Sequence, residues 1–113
     1  MAHLVTAIIK PFKLAEVQEA LRNAGMLGLT VSEVQGYGRQ GGKTEAFRGS
    51  EYTVAFVPKV KVDVIVEEGD VDKVIELIAA TARTGKIGDG KIWSLDLDRL
   101  MRIRTGERGD DAI

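Results

Sequence analysis

Cysteine is absent from this chain of 113 residues, and proline, histidine and tryptophan are scarce, at two, one and one. Without cysteine there is no disulfide framework, no thiol nucleophile and no zinc-thiolate site. The lone histidine, His3, reads as an exposed, frayed residue near the start of the sequence, so no Ser/His/Asp set can form around it. Carboxylates are plentiful, but Glu67-Glu68 and Asp110-Asp111 read as loop and tail charges. No His/Asp/Glu spacing suggests a metal site built by the protein alone. The net charge of −1 lacks the basic excess of a bulk nucleic-acid binder. Long hydrophobic runs are missing too: residues 4–9 are apolar but stop at Lys10-Pro11, too short to span a bilayer and without a cleavage region. The expectation is one cytoplasmic domain over residues 1–113, with no membrane insertion and no direct nucleic-acid binding.

What is present is a pattern that runs twice. Residues 4–9 are β-rich and end at a proline, a strand. From Leu14, apolar residues recur at Val17, Leu21 and Ala24 with helical spacing, and Gly25 suits the C-terminal cap. Residues 29–35 return to strand character. Then Val60, Val62, Val64 and Val66 alternate with Lys61, Asp63 and Ile65, another strand. Asp70 suits the N-cap of a helix striped by Val71, Val74, Ile75, Ile78 and Ala82. Residues 91–97 alternate again, with Trp93, Leu95 and Leu97 on one face. Two strand–helix–strand units in a small α+β domain imply a ferredoxin-like βαββαβ sandwich, a four-stranded antiparallel sheet with two helices on one face. The valine-rich strands would leave the other face too apolar to stay wet, which implies a homo-oligomer.

The two halves are joined by residues 37–58, far more than a hairpin needs, with glycines, charges and aromatics that suit a mobile loop touching a partner. The polar tail, residues 105–113, reads as flexible.

The chemistry concentrates in Thr84-Gly-Lys-Ile-Gly-Asp-Gly-Lys91. Glycines let backbone amides approach an anion, and the lysines supply charge, so the bend suits phosphate. Gly85-x-x-x-x-Gly90-Lys91 nearly matches a Walker A loop, but Ile92 stands where Ser or Thr would hold magnesium. The context is also reversed, since a helix ending near Arg83 leads through the bend into a strand. Arg102 and Arg104, two apart and expected on one side of a strand, strengthen the phosphate reading.

Lys10-Pro-Phe-Lys13, Gly36-Tyr-Gly-Arg-Gln40, Arg48-Gly-Ser-Glu-Tyr52, the 84–91 bend and Arg102-Ile-Arg-Thr-Gly-Glu107 stand in one order along the chain. Together they resemble, end to end, the PII nitrogen-regulatory signal-transduction family. That resemblance implies a ferredoxin-like homotrimer with nucleotide clefts between subunits, where ATP and ADP compete and 2-oxoglutarate binds beside MgATP. By position, Gly88, Asp89, Gly90 and Lys91 would wrap ribose and phosphates, and Arg102 and Arg104 would reach them from the neighbouring subunit. Gly36, Gly38, Arg39 and Gln40 begin the mobile loop, whose backbone approaches the nucleotide. Thr30 and Ile65 would contact adenine, Ile65 through its backbone. Gln40 would help hold Mg2+, Lys59 would pair with an oxoacid carboxylate, and Lys10 would add a basic contact. Tyr52 is where some members are nucleotidylylated, and Ser50 where others are phosphorylated, each adding negative charge to the loop. Implied partners are an ammonium transporter, enzymes or regulators of nitrogen assimilation, and a nucleotidylyltransferase.

Three departures lie on the partner-facing loop: Phe47 for tyrosine, Gly41-Gly42-Lys43 where Lys-Gly-His is common, and Ala55 for an acidic residue. The reading is a non-enzymatic sensor with no catalytic residues. The rivals are a weak phosphohydrolase, disfavoured by the missing general base, and a module for another small ligand.

Overall fold

The computed structural model describes residues 1–37, 45–47, 51–53 and 55–113. Its first strand, β1 (Ala2–Ile9), leads through a 3-10 turn at Pro11–Lys13 into helix α1 (Leu14–Asn23). The helix ends as its sequence suggests. Gly25 takes φ +94°, its amide donates to Arg22 O at 3.0 Å, and the Met26 amide donates to Leu21 O at 2.9 Å. This paired arrangement is a Schellman cap, which needs the left-handed residue that glycine supplies. Strand β2 (Thr30–Gly36) follows, and after the intervening segment β5 (Val57–Glu67), helix α2 (Val71–Ala82) and β6 (Lys91–Asp96).

The four long strands form one antiparallel sheet in the order β2-β5-β1-β6, the ferredoxin-like α+β topology expected. Register shows which face meets the helices. Val5, Ala7 and Ile9 lie opposite Val64, Val62 and Val60, and all six are buried. Val17 and Leu21 of α1 and Val74, Ile78 and Ala82 of α2 close over them, so core and helix stripe coincide.

Period-two alternation therefore corrects one expectation. Val60, Val62, Val64 and Val66 of β5 all face the helices, and the uncovered face carries the residues between them. That face pairs Leu4 with Ile65 and Leu95, and Thr6 with Asp63 and Trp93. Leu95 and Trp93 are exposed, while the Thr6 hydroxyl donates to Asp63 Oδ1 at 2.6 Å. It remains apolar enough to be an interface, through leucine, isoleucine and tryptophan instead of valine.

Other boundaries shift as well. His3 is not frayed: it lies in β1, with its side chain only 13% exposed and Nε2 2.7 Å from Asp96 Oδ1 on β6. Asp70 stands at the N-cap of α2, but its side chain makes no capping hydrogen bond, because a 3-10 turn at Glu68–Asp70 already sets its backbone helical. The segment 37–58 is shorter than read. β5 begins at Val57, with Pro58 opposite Gln35 beyond the last β1 pairing, where a missing N–H is tolerated at an open edge. A small hairpin, β3 (Glu45–Phe47) with β4 (Glu51–Thr53), occupies part of what remains. The Tyr37 and Phe56 rings stand 5.9 Å apart at its base.

The tail and the arginines differ most. Residues 102–104 are not strand: Met101 bridges Arg108 across a turn, and the Arg102 amide donates to Glu107 O at 2.9 Å. The segment expected to be flexible continues into a 3-10 turn at Gly109–Ala112, held by Gly109 N–H to Leu100 O at 3.0 Å. Short-range hydrogen bonds organise it where composition alone suggested none. No helix among the described residues is long and apolar enough to cross a membrane.

One backbone contact seats the entry to β6. Gly90 has φ +97°, and a Cβ there would lie 1.7 Å from the Ile8 carbonyl oxygen. Gly90→Ala should therefore cost at least about 2 kcal/mol through clash and left-handed strain. Gly69→Ala, where a Cβ meets open space, should stay within about 0.5 kcal/mol. Denaturant midpoints at matched protein concentration check both, and equal midpoints would refute the contact.

Candidate functional site

The bend 84–91 links the end of α2 to β6 and lies against the end of β1 and the start of β5. It is braced from inside. Asp89 accepts from the Thr84 hydroxyl at 2.5 Å on one oxygen, and from the Thr84 and Gly85 amides, each at 2.9 Å, on the other. Gly85 and Gly88, with φ +84° and +95°, supply the turns that let the chain wrap round this carboxylate. The Thr84 hydroxyl in turn accepts from the Lys86 amide and from Lys10 Nζ, both at 3.1 Å. These bonds to Thr84, first its hydroxyl and then its amide, hold the Asp89 carboxyl well below the usual carboxylate range. The Gly85 amide and Lys10 add to the effect against a desolvation that opposes it.

Two lysines grip the bend from the sheet. Lys10, just past β1, places Nζ 3.3 Å from Asp89 Oδ1. Lys59, with Thr6 one of two buried polar or charged residues among the described residues, donates from Nζ to the Gly88 carbonyl. Burial lowers the Lys59 pKa, the neighbouring Lys10 charge lowers it further, and Asp89 partly restores it. Lys10 is thus paired with the carboxylate, while Lys59 feels its charge without bonding to it. Such a place attracts a further anion, which would relieve both desolvation and mutual repulsion.

Gly36 completes the geometry. It ends β2 opposite Val57, and a Cβ there would stand 3.3 Å from Lys59 Cγ. The 37–58 segment therefore leaves the sheet directly beside the buried lysine. On the far side, Thr30 and Ile65 line one cleft of about 520 Å³ with Met26, Leu29, Asp63 and Ile113. Its mixed walls suit a flat heterocycle. Lys91 opens β6 and lines a smaller cavity of about 220 Å³ behind the bend, with Arg83, Asp89 and Gly90.

The fold brings Lys10, Lys59, Gly36, Gly88, Asp89 and Gly90 together, and it groups Thr30 with Ile65. It does not bring in Arg102 or Arg104. Arg102 pairs with Glu107 at 2.7 Å and donates to Ile113 O at 2.8 Å, while Arg104 sits exposed in the turn. Neither bonds to the bend among the described residues. Gly38, Arg39, Gln40 and Ser50 lie outside the described residues, as does the side chain of Tyr52. The bracing roles of Thr84 and Asp89 escaped the sequence reading. Their signal was an acid flanked by glycines, Gly88-Asp89-Gly90, five residues after a threonine. Among the described residues no cluster of three or more His, Asp or Glu is placed to hold a metal ion.

Fold and site define a ferredoxin-like α+β domain with a lysine-lined cleft under a glycine-rich loop. The family model described as Nitrogen regulatory protein P-II matches residues 2–107. The chain is 58% identical over 109 residues to nitrogen regulatory protein P-II of Synechocystis sp., covering 96% of this chain and 97% of that protein. It is 56% identical over 110 residues to nitrogen regulatory protein GlnK of Escherichia coli strain K12, covering 97% and 98%. The crystal structure of Arabidopsis thaliana PII bound to citrate matches with a TM-score of 0.82 at 39% identity, over 99% of this chain and 92% of that one. The chain belongs to the nitrogen regulatory P-II family. Its relatives are named nitrogen regulatory proteins, a family of signal transducers and not of enzymes.

The Asp89 brace carries a pH dependence. Its folded pKa lies below the ordinary 3.8, so the brace stabilises the fold above that value and is lost as pH falls through the lower folded one. Between about pH 4 and about pH 2, the wild type should lose stability faster than Asp89→Asn, and the gap between them should close. Acid titration of thermal midpoints checks this; a constant gap would contradict it.

Proposed function

We propose that the protein is a homotrimeric signal transducer that binds ATP or ADP in clefts between subunits. Beside MgATP it binds 2-oxoglutarate, and its 37–58 segment carries the result to partner proteins. The observation that supports this best is the meeting of Lys10, Lys59 and the 84–91 bend at the root of that segment, next to Gly36. A dianion held there alters the charge balance at the point where the segment leaves the sheet.

In this reading the amides around Gly88, Asp89 and Gly90 and the Lys91 ammonium hold ribose and phosphates, and the Thr30–Ile65 cleft takes the base. Arg102 bonds within its own tail and Arg104 is exposed, and neither bonds to the bend among the described residues, which suits guanidiniums that serve a neighbouring subunit. The uncovered sheet face, with Trp93 and Leu95 exposed, supplies the surface that brings subunits together. Gly38 and Arg39 approach the nucleotide, and Gln40 helps hold Mg2+ between the triphosphate and the oxoacid, where two anions need a divalent ion between them. Lys59 pairs with an oxoacid carboxylate and Lys10 adds a second cation. The relative that holds citrate, a tricarboxylate, accords with a family taste for small polyacids. Partners are an ammonium transporter and enzymes or regulators of nitrogen assimilation in the cytoplasm. Tyr52, by a nucleotidylyltransferase, or Ser50, by a kinase, receives any added charge.

Titration calorimetry tests the reading. Binding of 2-oxoglutarate is expected with MgATP present and absent without it. Lys59→Ala should weaken 2-oxoglutarate binding by about 10- to 100-fold and ATP by a smaller factor, because it also frees the Gly88 carbonyl, and Lys91→Ala should weaken ATP and ADP together by about 10- to 100-fold. No 2-oxoglutarate binding with MgATP, or equal loss of both ligands in both variants, would contradict it.

A further inference from the structure

The two lysines assigned to the oxoacid are already occupied, and what occupies them is the nucleotide loop itself. Lys10 Nζ lies 3.3 Å from Asp89 Oδ1 and 3.1 Å from the Thr84 hydroxyl, and Lys59 donates to the Gly88 carbonyl. The same Asp89 carboxylate gathers the Thr84 hydroxyl and the Thr84 and Gly85 amides. From this geometry we infer that Asp89 is a positioning residue with two opposed effects: it braces the 84–91 loop for the nucleotide, and it competes with an incoming carboxylate for Lys10. This inference rests on the proposed reading of the cleft as a nucleotide and oxoacid site.

The physical argument is one of shared charge. Lys10 is only 13% exposed at its side chain, so little water is available to screen a change of partner. Two anions cannot both bond closely to one ammonium without repelling each other across it. An oxoacid carboxylate that takes Lys10 therefore loosens Asp89 from one of its partners. The bonds from Thr84 and Gly85 remain, so the loop is retained while its inner edge is freed. Lys59 behaves in parallel: a carboxylate competes with the Gly88 carbonyl for its donors. Occupancy of the oxoacid site is thus reported to the nucleotide loop through the Asp89 carboxylate, which itself bonds to neither ligand.

Asp89→Asn separates the two effects. The single amide oxygen can keep the Thr84 and Gly85 amides but cannot also accept from the Thr84 hydroxyl, so the brace weakens while the charge that holds Lys10 is gone. At saturating MgATP the variant should bind 2-oxoglutarate about fivefold more tightly than wild type, while in the absence of 2-oxoglutarate it should bind ATP more weakly. Opposite signs are the signature, because a residue that merely stabilised the fold would lower both affinities together. Thr84→Val, which loosens the brace but leaves the Asp89 charge on Lys10, should weaken ATP without tightening 2-oxoglutarate. Calorimetry on the intact protein, with circular dichroism confirming that each variant folds, decides the matter. Affinities that fall together, or an unchanged 2-oxoglutarate affinity in Asp89→Asn, would overturn the assignment. A wild type that binds no 2-oxoglutarate would instead overturn the proposed function.

Discussion

The ammonium groups of Lys10 and Lys59 hold the 84–91 loop onto the end of the sheet, and the rest of the site depends on that grip. Neither lysine is well solvated; Lys10 pairs with Asp89, and Lys59 donates to the neighbouring Gly88 carbonyl. The loop can answer them because its glycines allow the chain to curl round Asp89 and to press Gly90 against the Ile8 carbonyl. The strands are equally necessary. β1 delivers Lys10 at its end, and β5 delivers Lys59 near its beginning, because the two run antiparallel and side by side. The ferredoxin-like topology thus brings residues 49 positions apart in sequence to one loop.

In the proposed reading the same arrangement would tie ligand to signal. Gly36 sits against the Lys59 stem, so the segment that leaves the sheet there starts within contact of the most desolvated charge in the cleft. A side chain at 36 would push on that stem. Glycine lets β2 end close enough to register what Lys59 holds. In the proposed trimer, the guanidiniums of Arg102 and Arg104 would complete the cleft from outside, while the Trp93 and Leu95 face would bring the subunits together.

Much of this was legible in the sequence. Valines two apart gave β5, the Val74–Ile78–Ala82 spacing gave α2, and Gly25 gave the end of α1, because each is a local signal written in period or backbone freedom. The glycine-rich bend between α2 and β6 was equally local. What failed was whatever depends on specific partners outside a periodic element. His3 looked frayed until Asp96 came opposite it across the sheet. The tail looked flexible because its ordering bonds, Met101 to Arg108 and Arg102 to Ile113, are invisible to composition. Asp89 was read as a ligand-wrapping residue, and its bond to Lys10 required knowing that residues 79 positions apart meet.

Native mass spectrometry tests the central claim most directly, since it reads assembly and ligand occupancy together. With MgATP and 2-oxoglutarate present, the account predicts a trimer carrying up to one nucleotide and one oxoacid per subunit, the oxoacid appearing only on subunits that hold nucleotide. A monomer that retains neither ligand, or an oxoacid that binds without nucleotide, would contradict it.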